Sequence, residues 1–102
     1  MHVRVAFYTL KSQTFEEVVR RVEGPGGMLE IFRGQPGFHS YELIAASAGL
    51  FSVSHWESSA QADAATDAAA AWVAEHIADL VKLQQSDIGE VVMSSLAPAT
   101  TH

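Results

Sequence analysis

The 102-residue sequence predicts a single α+β domain, in which a four-stranded antiparallel sheet carries two helices on one face. Short segments that alternate between apolar and polar residues indicate strands, and the longer segments between them repeat apolar residues at helical spacing. The length suits one domain, and an apolar content of 48% is sufficient for one packed core.

The first strand is predicted over residues 2–9, where β-branched and aromatic residues alternate. This alternation places Arg4 and Tyr8 on one face of the strand and Phe7 on the other. We expect Arg4 to be a surface residue, because a buried guanidinium would need an acidic partner. Glu42 is the candidate partner if Arg4 is buried.

The first helix is predicted in two pieces, residues 14–23 and residues 26–33. Thr14 and Glu17 have the spacing of a capping box, in which each side chain satisfies the backbone N–H of the other residue. The Gly-Pro-Gly-Gly run at residues 24–27 separates the two pieces, because proline lacks the N–H and glycine weakens a helix.

The second and third strands are predicted over residues 38–46 and 50–57, and they are expected to form a hairpin. Ser58 then begins the second helix, with Gln61 three residues later in the capping-box spacing. The apolar stripe that follows predicts a helix over residues 59–83.

The last strand is predicted over residues 88–95, and residues 96–102 are predicted to form a disordered tail. The order of elements is then βαββαβ, which is the ferredoxin-like arrangement. Large apolar side chains occur on both alternating sets of each strand, whereas two helices cover only one face of a sheet. We therefore expect a homodimer, in which a second copy covers the other face.

The composition argues against several classes of function. A formal net charge of -6 does not favour binding to nucleic acid or to an anionic membrane, because both require basic surfaces. The lack of cysteine excludes disulfides and thiolate chemistry. The sequence shows neither a signal-peptide pattern nor a membrane-spanning stretch, so we expect a cytoplasmic location.

Four segments of the sequence resemble the antibiotic biosynthesis monooxygenase-like family, which belongs to the dimeric α+β barrel superfamily. The segments are GQPGFHSYELI (34–44), GLFSVSHWESSAQADAA (49–65), AWVAEHIADLV (71–81) and GEVVMSS (89–95). The most specific parts are Pro36-Gly37-Phe38 and Ser54-His55-Trp56-Glu57-Ser58. The resemblance implies one ferredoxin-like domain over residues 1–95. It also implies a homodimer whose sheets face each other in a barrel, with a pocket between the sheet and the helices.

The resemblance implies an oxidative function. Members of the family include cofactor-independent oxygenases of electron-rich aromatic compounds, and also haem-degrading oxygenases. The haem-degrading members use an asparagine on the first strand, and this sequence contains no asparagine, which argues against haem degradation. We therefore expect a monooxygenase without a cofactor that acts on a small aromatic or polyketide-like substrate. The alternatives are a non-catalytic ligand-binding or stress-response dimer, and a small isomerase or decarboxylase of the same fold.

His76 is the first candidate catalytic residue, because its position in the apolar stripe of the second helix predicts that it faces the sheet and the pocket. An imidazole there can accept a proton or bind a substrate hydroxyl. Trp72 lies one turn earlier and is a candidate for stacking on a planar ligand. For both residues the alternative is an ordinary core position.

Tyr8 and Tyr41 are the other candidate catalytic residues, since pocket-lining phenols can polarise a carbonyl or a phenol. His39 is expected on the same strand face as Tyr41, and it is a candidate substrate-binding residue. Trp56 and His55 are further candidates, and strand alternation places them on opposite faces of the sheet. The histidine spacing does not indicate a metal site.

Overall fold

The computed structural model of the protein describes residues 1–11 and 15–95. The elements in chain order are β1 (His2–Leu10), α1 (Phe15–Glu23), α2 (Met28–Arg33), β2 (Phe38–Ala46), β3 (Gly49–Trp56), α3 (Ser59–His76) and β4 (Val81–Glu90). The predicted βαββαβ order is confirmed, with the first helix present as α1 and α2. The predicted capping residue Thr14 and the predicted tail at residues 96–102 lie outside the described residues.

The four strands form one antiparallel sheet in the order β2-β3-β1-β4. Arg4 of the central strand β1 pairs with Ser54 of β3 on one side and with Ile88 of β4 on the other. The helices pack on one face of this sheet, as predicted. Within the described residues, no helix has the combined length and apolar character that crossing a membrane requires.

The core lies between the sheet and the helices. Trp56 and Phe32 are fully buried at its centre, and their rings meet edge to face with centroids 5.2 Å apart. Helix α3 presents Ala62, Ala65 and Ala69 to the core, each fully buried. These small side chains allow the helix backbone to approach the sheet closely, which keeps the core compact.

The break between α1 and α2 is confirmed, and the structure shows what holds it. Gly26 has a φ of +73°, a backbone conformation that favours glycine. A Cβ at Gly27 would lie 2.3 Å from the carbonyl oxygen of Val22, so this position also requires glycine. The indole of Trp72 donates a hydrogen bond of 2.9 Å to the carbonyl of Gly26, which fixes the break against α3.

The predicted boundary between the second helix and the last strand is wrong. Helix α3 begins after Ser58, whose hydroxyl accepts from the N–H of Gln61 as predicted, but it ends at His76. Strand β4 then covers Val81–Glu90 and not residues 88–95. The physical reason is that β4 is an edge strand with mostly exposed side chains, so its polar sequence lacks the alternation of a half-buried strand.

The two faces of the sheet differ in what covers them. Successive residues of β1 alternate between the faces, so that Arg4, Ala6 and Tyr8 are buried under the helices. On the other side, a surface is formed by Val5, Phe7, Ile44, Phe51 and Val53, which we call the open face. Within this surface Val5 is 38% and Ile44 46% exposed, since no described segment of the chain covers them.

Candidate functional site

A narrow cavity of about 10 Å³, which is room for about one water molecule, lies between the sheet and the helices. Most of its lining is apolar and includes Leu43, Leu50 and Ile77. The polar groups on its wall that belong to the sheet are the hydroxyls of Tyr8, Tyr41 and Ser52. An apolar cavity with a few convergent polar groups is the usual form of a small-molecule site.

The strand register explains why these hydroxyls meet. Tyr8 lies on β1, Ser52 on the adjacent strand β3 and Tyr41 on β2, all on the sheet face that the helices cover. The hydroxyl of Ser52 donates to the oxygen of Tyr41 over 3.2 Å. The Nη2 group of Arg4 donates to the oxygen of Tyr8 over 3.4 Å. We call these four residues the polar cluster.

Burial raises the pKa of Tyr41 to about 12, because it penalises the charged phenolate. The hydrogen bond from Ser52 opposes this shift, and the phenol of Tyr8 adds to it. The nearby guanidinium of Arg4 favours the phenolate and so lowers the pKa by a smaller amount. Tyr41 is therefore a neutral phenol at physiological pH, suited to donate a hydrogen bond and unsuited to act as a base.

The prediction that Arg4 is a surface residue is wrong. Its exposed fraction is 1%, since strand alternation places it on the covered face beside Ser54. Glu42 cannot be its partner, because it pairs with Val53 on the opposite side of the sheet. Strand alternation predicts that Arg4 and Tyr8 share one face of β1, and the structure confirms this prediction.

The prediction that His76 faces the sheet is wrong. His76 is exposed and lies at the last position of α3, where its ring stacks on Trp72 with centroids 5.2 Å apart. Both residues line a surface cleft together with Glu17, Arg20 and Arg21. The two arginines hydrogen-bond to Glu17 and lower the pKa of its carboxyl.

Trp72 lies on the wall of the cavity, where its position in the apolar stripe of the helix predicts it. It is 4% exposed, and it lines the outer cleft as well as the cavity. The side chain of Trp72 therefore separates the cavity from the outer cleft. Arg21 donates to the carbonyl of His76 over 2.7 Å and so anchors the end of α3. His76 thus lies on the side of the outer cleft.

The other candidate residues lie away from the cavity lining. Trp56 is fully buried among Phe32 and Phe38, and its indole donates to the hydroxyl of Ser54 over 2.8 Å. Its surroundings are those of a core residue. A tryptophan in an apolar strand gives no sequence signal that separates a core position from a pocket wall.

His39 and His55 both contact polar side chains outside the cavity. His39 lies at the irregular pairing between Phe38 and Ser40 and interacts with the exposed carboxylate of Glu57. The hydrogen bond from His39 lowers the pKa of Glu57. His55 points to the side of the open face and bonds to Ser40 over 3.1 Å. Trp56 and His55 thus lie on opposite faces, as predicted.

Residues 1–11 and 15–95 contain no cluster of three or more histidine or acidic side chains that could hold a metal ion. The cavity does not fit a haem group either. The imidazole of His76 lies in the outer cleft and is separated from the cavity by Trp72. The cavity itself, at about 10 Å³, has no room for a porphyrin.

Several solved structures share this fold. A mutant of MhuD with two manganese protoporphyrin IX molecules bound per active site is 22% identical over 92% of this chain and 97% of its own, with a TM-score of 0.68. SnoaB, a cofactor-independent oxygenase from Streptomyces nogalater, is 17% identical over 92% of this chain and 95% of its own, with a TM-score of 0.66.

A monooxygenase from the ActVA-Orf6 gene of Streptomyces coelicolor, solved in complex with nanaomycin D, is similar to the chain as well. It is 23% identical over 91% of this chain and 92% of its own, with a TM-score of 0.63. No family model and no curated protein matches the chain. At these identities the likeness establishes the fold, and the chain has the ferredoxin-like α+β fold of the antibiotic biosynthesis monooxygenases that its sequence resembles.

Proposed function

We propose that the protein is a cofactor-independent monooxygenase that oxidises a small, electron-rich aromatic or polyketide-like compound. The observation that carries this proposal is the convergence of the Tyr8, Tyr41 and Ser52 hydroxyls on the apolar cavity under the helices, which must widen to admit a substrate. The fold that the chain shares with SnoaB and with the ActVA-Orf6 monooxygenase supports the same reaction class.

The reaction needs no redox group of the protein, because the substrate supplies the electrons. A ring CH₂ group flanked by phenolic rings loses one proton and becomes a carbanion or enolate that reacts with O₂. One oxygen atom then forms the new C=O group, and the other leaves as water with the two hydrogens of the CH₂ group. The carbon loses four electrons and O₂ gains four, so the reaction balances.

In this proposal the phenols of Tyr8 and Tyr41 stabilise the developing oxyanion. Each phenol accepts the hydrogen bond that the structure shows for it, so its own O–H is left to donate to a substrate oxygen. The raised pKa of Tyr41 keeps that proton on the phenol at neutral pH. Donors held in a dry site stabilise an oxyanion more strongly than water does.

We propose that His76 acts from the outer cleft and that the substrate passes Trp72 on its way to the cavity. Trp72 borders both spaces, and His76 stacks on its ring. An imidazole in that position can accept the substrate proton as the substrate enters. Trp56, His39 and His55 would then shape the fold and the subunit contact without touching the substrate.

We also propose that the protein is a homodimer joined through the open face. Phe7 and Phe51 pack against each other there with ring centroids 4.8 Å apart, and Phe51 is 36% exposed. A contiguous apolar surface on a sheet is expected to be covered by a partner. A second copy of the chain brings the same surface and covers both at once.

The test is oxygen uptake by the purified protein with anthrone-like compounds, which carry such a CH₂ group, and no added cofactor. We expect one O₂ consumed for each molecule oxidised, without accumulation of hydrogen peroxide. Tyr8→Phe and Tyr41→Phe should each lower kcat by about tenfold or more, since each removes one oxyanion donor. His39→Gln is the matched control, because His39 lies outside the cavity, and its rate should equal that of the wild type.

A non-catalytic ligand-binding dimer is the second candidate function, and the position of His76 outside the cavity favours it, because the cavity lining then holds no side chain suited to accept a proton. Tight binding of the same compounds without oxygen uptake would support that function and contradict the oxygenase. His76→Ala separates the roles further. A catalytic proton acceptor would change the pH dependence of kcat, whereas an entrance residue would change KM alone.

A further inference from the structure

We infer that helix α1 is a lid over the cavity, which opens along the boundary between α1 and α3. The Gly-Pro-Gly-Gly run at residues 24–27 is the hinge of this lid, and Arg21 is its latch. The inference rests on the proposed function in that a ligand must enter the cavity under the helices. It adds the element that moves to admit the ligand and the residue that holds this element closed.

The first observation is that the closed cavity and the open outer cleft lie on the two sides of the boundary between α1 and α3. The cavity, at about 10 Å³, is lined by Val18 and Val22 of α1 and by Trp72 of α3, among other residues. The outer cleft, at about 540 Å³, is lined by Arg21 of α1 and again by Trp72. Separation of the two helices at this boundary would therefore join the cavity to the cleft and admit a ligand.

The second observation is that α1 is packed on the core less firmly than α2. Two of the nine residues of α1, Val18 and Val22, are buried. Helix α2 instead inserts the fully buried ring of Phe32, which packs edge to face on Trp56 and Tyr41. Segments with few buried apolar contacts open locally at a lower free energy than the core does. Helix α1 is therefore the one expected to leave the sheet first.

The third observation is the glycine run that joins α1 to α2. Gly26 has a φ of +73°, and two further glycines lie at residues 24 and 27. Glycine changes its backbone angles at low cost, which suits residues that absorb a helix movement. The indole of Trp72 donates to the carbonyl of Gly26 over 2.9 Å. The end of the run next to α2 is thus fixed to α3, and the end next to α1 is left to turn.

Arg21 supplies the polar contacts that tie α1 to the end of α3. Its Nη1 group donates to the carbonyl of His76 over 2.7 Å and lies 3.5 Å from Oδ1 of Asp79. Its Nε group donates to Glu17 over 2.8 Å within α1. Arg20 donates to the same carboxylate, but it forms no hydrogen bond with α3 among the described residues. Arg21 is therefore the latch, and Arg20 is its matched control.

The first test is thiol labelling of the full-length protein without ligand, which is clean because the chain has no cysteine. Val18→Cys places a buried thiol under the lid, and Ser54→Cys places one at a fully buried position of β3. The rate of reaction with a water-soluble maleimide, relative to the rate in the unfolded chain, measures how often each position opens. We expect the thiol at residue 18 to react at least about tenfold faster than the thiol at residue 54. Equal relative rates would overturn the inference.

The second test adds Arg21→Met to the Val18→Cys protein. We expect labelling to become at least about fivefold faster, because the charge-assisted hydrogen bond to the carbonyl of His76 is lost. Arg20→Met also removes an arginine from Glu17, and it should change the rate by less than about twofold, since exposed ion pairs within a helix contribute little. An equal acceleration by both changes would show that the arginines stabilise α1 itself, which contradicts the assignment of Arg21 as a latch.

Amide hydrogen exchange gives the same comparison without cysteine, should a labelled variant fail to fold. An isolated helix of nine residues is marginal in water, so the amides of α1 exchange once it leaves the sheet. We expect Arg21→Met to speed exchange in α1 and to leave the amides of β1 and of Ile31 in α2 unchanged. Faster exchange throughout the domain would contradict a separate lid. A lid that opens without oxygen uptake would support this inference and contradict the oxygenase, whereas oxygen uptake with equal labelling at residues 18 and 54 would do the reverse.

Discussion

The two faces of the sheet are formed by the same strands, but the helices cover one face and no described segment of the chain covers the other. On the covered face, Trp56 packs against aromatic side chains of the same chain, and Tyr8 meets Arg4 at a cavity. On the open face, Val5 and Phe51 remain partly exposed. The difference teaches that strand alternation gives the two faces different roles: the covered face forms the core and holds the candidate site, while the open face provides the surface for the proposed dimer contact.

The strongest test of the covered face is Trp56→Ala. The side chain is fully buried, and its removal leaves a large cavity and deprives Ser54 of a hydrogen bond. We expect the free energy of unfolding to fall by about 3–5 kcal/mol, measured by urea denaturation. Val92→Ala is the control, because Val92 is 91% exposed and should have no measurable effect. A loss below about 1 kcal/mol in the Trp56 variant would mean that this face does not dominate stability.

The open face is tested by Val5→Glu, which places a carboxylate among apolar side chains and opposite Asp87 of β4. We expect the dimer dissociation constant to rise by about a hundredfold, or about 2.7 kcal/mol, because a charge at a buried contact is unfavourable. Sedimentation equilibrium measures this change. Val92→Glu adds the same charge at an exposed position away from the sheet and should leave association unchanged. A wild-type protein that sediments as a monomer at micromolar concentration would contradict the dimer itself.

A smaller effect is expected at Tyr41 on the covered face. Its contribution to the free energy of unfolding should depend on pH, whereas that of a residue without a titrating group on the open face should not. At pH 7, Tyr41→Phe should lower the free energy of unfolding by about 1 kcal/mol, because the hydroxyl of Ser52 loses its partner. The folded protein holds the phenol proton up to a pKa of about 12, compared with an ordinary value of 10.0. The wild type therefore keeps this contribution below pH 10 and loses it as the pH rises toward 12.

The measurement for Tyr41 is urea denaturation of both proteins between pH 7 and about pH 11.5. The stability difference between the wild type and Tyr41→Phe should shrink as the pH rises above 10. The same series with Phe51→Leu, a change on the open face without a titrating group, should give a constant difference. If the Tyr41 difference is also constant, burial does not perturb the phenol.

Much of the fold could be predicted from the sequence where one face of a segment is buried. Strands β1 and β3 alternate clearly because one side of each faces the core, and the glycines at residues 24–27 mark the helix break. The predicted position of the last strand is wrong because an edge strand with exposed side chains shows no such alternation in its sequence. The predicted helix consequently ran past His76 into residues that form a turn and the start of β4.

The candidate site could be predicted only in part. Tyr8 and Tyr41 reach the cavity because strand parity alone decides which face they occupy. His76 does not reach it, since the orientation of a residue at a helix end depends on where the helix stops. The same parity predicts that Arg4 shares the face of Tyr8, and its burial is missed because a buried guanidinium is expected to have an acidic partner, which Arg4 lacks among the described residues.

The polar sequence of β4 affects whether further molecules can add to this edge of the sheet. An edge strand exposes a row of backbone N–H and C=O groups, to which strands of further molecules can add without limit. The side chains of Lys82, Gln84 and Asp87 are exposed along this strand, and solvated charges of this kind oppose such end-to-end growth. The addition of further strands at the β4 edge is thereby disfavoured.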